Sequence, residues 1–240
     1  MRMTMLGQAL LFSFLAGLAI PAGGLLAAIE HIQPAWLERE FRHSMIALGG
    51  GALFAAICLV LVPEGIEHLS VGAAGASFFA GGLFFMWIDR LVARQVGAVA
   101  QLMAMLLDYI PEAIAMGAVF VVSTSKGAVL ALLIGIQNLP EGFNAYRELM
   151  VNFRAARARL LVGFFLLSVL GPLAAWLGIT VFSMREEWLG VLMLFSAGGI
   201  LYLTFQDIAP QAKLERAWAP ALGSVAGFLI GLTGYMLIGE

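Results

Sequence analysis

The chain has 240 residues, 62% of them hydrophobic and only 12% charged, with a net charge of −2. A soluble domain carries about 25% charged residues, so disorder, nucleic-acid binding and ordinary cytosolic catalysis are all poor fits, and no global field steers a strongly acidic or basic partner. A single cysteine, Cys58, excludes a disulfide framework and a cysteine-based zinc site.

Apolar runs of about 20 residues are long enough to cross the hydrocarbon as helices. Eight such runs follow in chain order: 5–28, 43–62, 69–89, 98–122, 127–147, 159–182, 188–209 and 217–238. The first is preceded by Arg2 but is too long for a signal h-region, so it reads as an uncleaved span. The connections are short, and the longest polar stretches are 30–42 and 147–159. The expected fold is therefore an all-α integral membrane protein, one polytopic domain over 1–240 with eight transmembrane helices embedded in the lipid bilayer. Glycine recurs within the runs, as in Gly49-Gly50-Gly51, Gly81-Gly82 and Gly198-Gly199. Small residues let membrane helices approach closely, and tight packing is the reading adopted for them.

Basic residues divide unevenly between the loops. One side holds Arg2, Lys126 and Arg185; the other holds the ten remaining Lys and Arg residues, from Arg39 to Arg216. The positive-inside rule places the ten in the cytoplasm. Both termini then lie outside it, in a cell (inner or plasma) membrane.

Three carboxylates depart from this pattern. Asp108 and Glu112 lie in the middle of span four, and Glu141 lies well inside span five. Each costs about 2.5–3.5 kcal/mol at a helix centre on insertion scales, and calls for a partner or a water-filled cavity. No Lys or Arg lies at that depth, so the compensating charge has to be a cation from solution or a bound proton. Asp108 and Glu112 are four apart and share a helix face, as do Gln137 and Glu141 on span five. The local sequences repeat as well: Asp108-Tyr-Ile-Pro111-Glu112 and Gln137-Asn-Leu-Pro140-Glu141. Each proline lacks the N–H that would bond the carbonyl four residues back. The carbonyls of Leu107 and Ile136 are freed beside the polar stripe, as in the broken helices of many transporter ion sites.

Paired Pro-Glu motifs on spans four and five, within eight spans, resemble the ZIP (Zrt/Irt-like) divalent-metal transporters. The likeness extends to His43-Ser44 and Leu61-Val-Pro63-Glu64-Gly65 on span two. It continues in Phe195-Ser-Ala-Gly198-Gly199-Ile-Leu-Tyr202, running to Asp207-Ile-Ala-Pro210, on span seven. It covers nearly the whole chain, and the motifs on spans four and five are its specific part. The resemblance implies a 3+2+3 arrangement, with inverted repeats around helices four and five. It also implies uptake of zinc, or of manganese or iron, into the cytoplasm by alternating access, and it is compatible with a homodimer. The metal is cargo and no prosthetic group is implied; no enzymatic activity is expected. Asp108, Glu112, Gln137 and Glu141 fall on the primary metal positions, and Asn138 on one that in many members serves a second metal.

The departures from the family pattern are specific. Asp108 stands where His is usual, Tyr109 follows it, and Ala113 replaces the usual Gly. Span six carries no acid, and Ser168 is its nearest polar candidate. One metal per cycle is therefore expected, in an oxygen-only site. Carboxylate and carbonyl oxygens suit magnesium, calcium and manganese, whereas zinc also accepts Asp and Glu oxygens. The family favours zinc first; the donor set leans toward harder ions, with cadmium a usable surrogate.

Glu64, Glu67 and His68 end span two and are candidates for an outer mouth, although a solvated helix end accounts for them more simply. Asp207 and Gln211 end span seven around Pro210 as an inner exit or a helix stop, and His31 and His43 lie on the same side. Clustered carboxylates repel when all are ionised, so metal binding should displace protons and depend on pH between about 5 and 7.5. Two readings stand beside metal transport: a proton-coupled permease for a small organic solute, and a ZIP relative that has lost transport.

Overall fold

A computed structural model describes residues 4–30, 35–92, 98–153, 157–182, 186–214 and 217–238. These residues are helical nearly throughout, without a strand among them. Helix α1 spans Met5–Ile29; the side chain of Thr4 caps it by accepting from the Gly7 N–H at 3.2 Å. Helix α2 comprises Ala35–Ala56, a π-helical turn at Ile57–Leu61 and a last segment, Val62–Glu67. Helices α3 (Val71–Val92), α4 (Ala98–Val122) and α5 (Thr124–Phe153) follow. Helix α6 comprises Arg157–Ser168 and Leu170–Phe182, with a break between them at Val169. Helix α7 runs through Glu186–Leu203, a second π turn at Thr204–Ile208 and a short end, Ala209–Ala212. Helix α8 is Ala219–Ile238.

Among the described residues, six helices are long and apolar enough to cross a membrane: Met5–Ile29, Leu37–Glu67, Val71–Val92, Arg157–Val181, Glu187–Ala212 and Ala219–Ile238. The chain is a multi-pass membrane protein. Helix α5 is not among the six because Gln137, Asn138, Pro140 and Glu141 interrupt its apolar character. It is instead sheltered, packing against α1, α2, α4 and α8. Exposed apolar side chains such as Phe79 and Trp87 on α3 or Leu229 on α8 face outward, where lipid is the solvent.

Two groups of helices emerge from the packing. In one, α5 lies on α1 and α4 lies on α6, with α1 also against α4 and α6; in the other, α2 lies on α8 and α3 lies on α7, with α2 also against α7. Each of the four main crossings is made by a reciprocal pair of glycines. A methyl on Gly23 would collide with the Leu139 carbonyl oxygen, and one on Gly142 with that of Ile20, where α1 crosses α5. Gly117 meets the Ala175 carbonyl and Gly178 that of Ile114, where α4 crosses α6. Gly51 with Ser224 and Gly227 with Leu48 repeat the device for α2 and α8, and Gly81 with Phe195 and Gly198 with Phe78 repeat it for α3 and α7. Without a hydrophobic drive between helices in lipid, backbone-to-backbone approach of this kind is what holds them. The small-residue reading of Gly51, Gly81 and Gly198 thus becomes specific: each is half of a crossing.

Some boundaries differ from expectation. Helix α5 continues to Phe153, past the expected end at residue 147, and α2 begins at Ala35 rather than 43. The reason is charge pairing between segments. Arg147 Nη1 donates to Glu30 Oε1 at 2.5 Å and to Glu38 Oε1 at 2.6 Å, so polar residues that read as a loop are held in helices at the interface. Both π turns lie two residues before a proline, Pro63 and Pro210. Proline leaves a carbonyl unbonded one turn back, and a widened turn is one way for the helix to absorb that defect.

Candidate functional site

The expected site lies where α4 and α5 pack against each other. Both helices run unbroken through their prolines, Pro111 and Pro140. On α4, Glu112 is 3% exposed. The side chain of Asp108 lies outside the described residues. On α5, Gln137 is 4% exposed and Asn138 is wholly buried, while Glu141 is partly exposed. Gln137 Nε2 donates to Glu141 Oε2 at 2.8 Å, as the four-residue spacing predicts. Asn138 turns toward α1 and donates from Nδ2 to the Ala16 carbonyl at 2.9 Å. Its amide therefore ties α5 to α1 just above the Gly23–Gly142 crossing.

Two buried amide oxygens, Gln137 Oε1 and Asn138 Oδ1, have no hydrogen-bond partner among the described residues. A buried acceptor without a donor costs about 1–3 kcal/mol. A cation beside such oxygens removes that cost, and the Glu141 carboxylate that accepts from Gln137 supplies counter-charge. Among the described residues, no three His, Cys, Asp or Glu side chains form a group that could hold a metal ion. Glu112 and Glu141 are the described carboxylates of the pair, with amides completing the donor set.

Tyr109 points elsewhere. Its hydroxyl donates to the Ser13 carbonyl of α1 at 3.1 Å and approaches the Ser168 carbonyl of α6 at 3.5 Å. Gly17 and Gly171 leave the room that the phenol fills. Ser168 uses its own hydroxyl to donate to the Phe165 carbonyl at 2.6 Å. Tyr109 and Ser168 thus fasten three helices of one group, which is a packing role that the sequence did not reveal. The Gly17–Gly171 pair, two small residues on separate helices, was the signal for it.

At the end of α2, Glu64 is 1% exposed and paired with Lys126 in the first turn of α5. The expectation of a solvated helix end fails for Glu64. The π turn at Ile57–Leu61 and the close fit of Gly65 on Leu194 turn this end of α2 inward, where a carboxylate needs a partner. Lys126 is placed by the Ser123 hydroxyl, which accepts from its backbone N–H at 3.3 Å. The hydrogen bond that Lys126 donates to the Glu64 carboxylate raises its ammonium above the ordinary pKa, against a smaller lowering by burial. Glu67 is exposed and His68 partly so.

At the opposite end, Asp207 sits in the π turn of α7, and Tyr202 donates to Asp89 Oδ2 at 3.0 Å. His43 Nδ1 lies 2.7 Å from the Arg39 carbonyl and Gln211 is exposed. His31 lies outside the described residues. No protein-family model matches the chain, and no curated protein matches it.

Proposed function

We propose that the chain carries divalent metal cations across a membrane by alternating access, through an oxygen-rich site between α4 and α5. The observation that carries this reading is the polar stripe itself: buried Glu112, Gln137 and Asn138 and partly exposed Glu141, with two amide oxygens left without donors among the described residues, in helices that lack a basic residue at that depth. Cations with oxygen preference fit such a donor set. Zinc is the first cargo, manganese or iron the next, and the cytoplasm the destination.

The pattern of crossings supports the 3+2+3 arrangement with inverted repeats. Exchange α1 with α6, α2 with α7, α3 with α8 and α4 with α5. The crossing of α1 on α5 then maps onto that of α6 on α4, and α2 on α8 maps onto α7 on α3. The two π turns, each followed by a proline, also map onto one another. Two groups, each fastened internally by glycines, provide bodies that can move relative to one another with the metal stripe at their seam.

Uptake by proteoliposomes tests the proposal. The parent chain accumulates zinc, and Glu112→Ala and Glu141→Ala each lose most of it; equal uptake by all three removes metal transport through this site. Uptake rises with pH between about 5 and 7.5, because the ligands must shed protons to bind metal. Asp108→His adds an imidazole donor and shifts competition toward zinc over manganese. An unchanged ratio removes the oxygen-only account of selectivity.

A further inference from the structure

A recess of about 1210 Å³ lies between α2, the π turn of α7 and α8, away from the α4–α5 stripe. Its floor includes Gly50, Gly51 and Thr204, and it is walled by apolar side chains such as Phe54, Phe205 and Phe228. It opens sideways, because Phe205 and Val225 on its rim are more than half exposed. In a membrane protein this opening faces lipid, and water has no reason to fill it. One end differs from the rest. There Lys213 and Trp218 line the recess, and Trp218 is 89% exposed. Lysine and tryptophan are the side chains that favour the headgroup level. The recess is thus apolar along its length and positive at one mouth, and the loop at that mouth is one of those that the positive-inside rule assigns to the basic side of the chain.

We propose that this recess is a binding site for an anionic phospholipid, its acyl chains lying between α7 and α8 and its headgroup at Lys213. The charge pattern selects this occupant. A second copy of the chain would lay a rigid helix over this concave trough, which flexible acyl chains fill more completely. A zwitterionic lipid fills the trough equally well but has no net charge to pair. Basic pockets between transmembrane helices on the cytoplasmic side bind anionic headgroups in this manner. The floor includes Thr204 and Ile208 of the π turn, so the lipid also braces the least regular part of α7. The proposal does not rest on metal transport.

Trp218 supplies the readout. With the other four tryptophans replaced by phenylalanine, the protein is placed in phosphatidylcholine vesicles containing increasing amounts of brominated phosphatidylglycerol or brominated phosphatidylcholine. Quenching of Trp218 is expected to reach half-maximum at a several-fold lower mole fraction of the brominated anionic lipid, and Lys213→Gln is expected to abolish that preference. Equal quenching by the two lipids with Lys213 present overturns the proposal, as does weak quenching by both, the result expected if a second copy covers the recess. Native mass spectrometry of the parent chain is the companion measurement if the single-tryptophan variant does not fold. Retained phosphatidylglycerol that is lost in Lys213→Gln supports the site, and equal retention in both overturns it.

Discussion

The contacts within each helix group and the contacts across the seam are built from different chemistry. Inside a group, glycines bring backbone against backbone: Gly142 on Ile20 and Gly117 on Ala175 in one, Gly51 on Ser224 and Gly81 on Phe195 in the other. Across the seam, where α5 meets α2, a methyl on Gly49 would meet the Pro140 ring at 3.2 Å and the Gln137 backbone only at ordinary contact distances of 3.6 and 3.7 Å, and charged side chains clasp the two ends. Backbone contacts of the first kind have no adjustable part, whereas ion pairs can exchange partners or hydrate. The molecule is therefore rigid within each group and able to shear between them. The polar stripe belongs to the rigid group but lies at the seam.

Breaking the seam's buried ion pair should give the largest effect. Lys126→Met leaves the Glu64 carboxylate buried without its ammonium and costs about 3 kcal/mol, the lower end of the range for a broken buried pair because Lys126 is itself partly exposed. Thermal unfolding in detergent measures it. Lys126→Met with Glu64→Gln recovers most of the loss; failure to recover would mean that Lys126 acts through something other than Glu64. Next comes a crossing. Gly142→Ala drives a methyl into the Ile20 carbonyl and costs about 2 kcal/mol, within the usual range for overpacking. Gly49→Ala at the seam meets a ring edge instead and stays within about 0.5 kcal/mol. Equal losses for the two alanines would erase the distinction between rigid crossings and a compliant seam.

Smaller effects sharpen the picture. Tyr109→Phe removes one buried hydrogen bond to Ser13 and should lower stability by about 1 kcal/mol without changing the metal preference of uptake. A changed preference would place Tyr109 at the metal after all. Arg147→Ala severs the contacts to Glu30 and Glu38 at the opposite end of α5, where about a third of the arginine side chain is exposed to solvent. Its cost should be at most about 1 kcal/mol, and should shrink in high salt.

Much of this was legible in the sequence because it is local. Twenty-residue apolar runs, the runs of adjacent glycines and the repeated Pro-Glu spacing each lie within a single helix. What escaped depends on distant partners. Lys126 and Glu64 are 62 positions apart, and their pairing turns a seemingly solvated end into a buried one. Helix α5 runs through Arg147 because acids from two other segments neutralise it. Asn138 reads as a metal ligand, yet half of its amide is committed to Ala16, 122 residues earlier. The π turns are a response of α2 and α7 to Pro63 and Pro210, and proline alone does not announce which helices will widen rather than kink.

Anomalous diffraction from crystals soaked in cadmium tests the central claim most directly, since it locates the cation without relying on flux. The account predicts a peak between α4 and α5, within bonding distance of Glu112, Glu141 and the Gln137 amide oxygen, that vanishes in Glu112→Ala. Cadmium bound only at surface carboxylates, with nothing between those two helices, would contradict it.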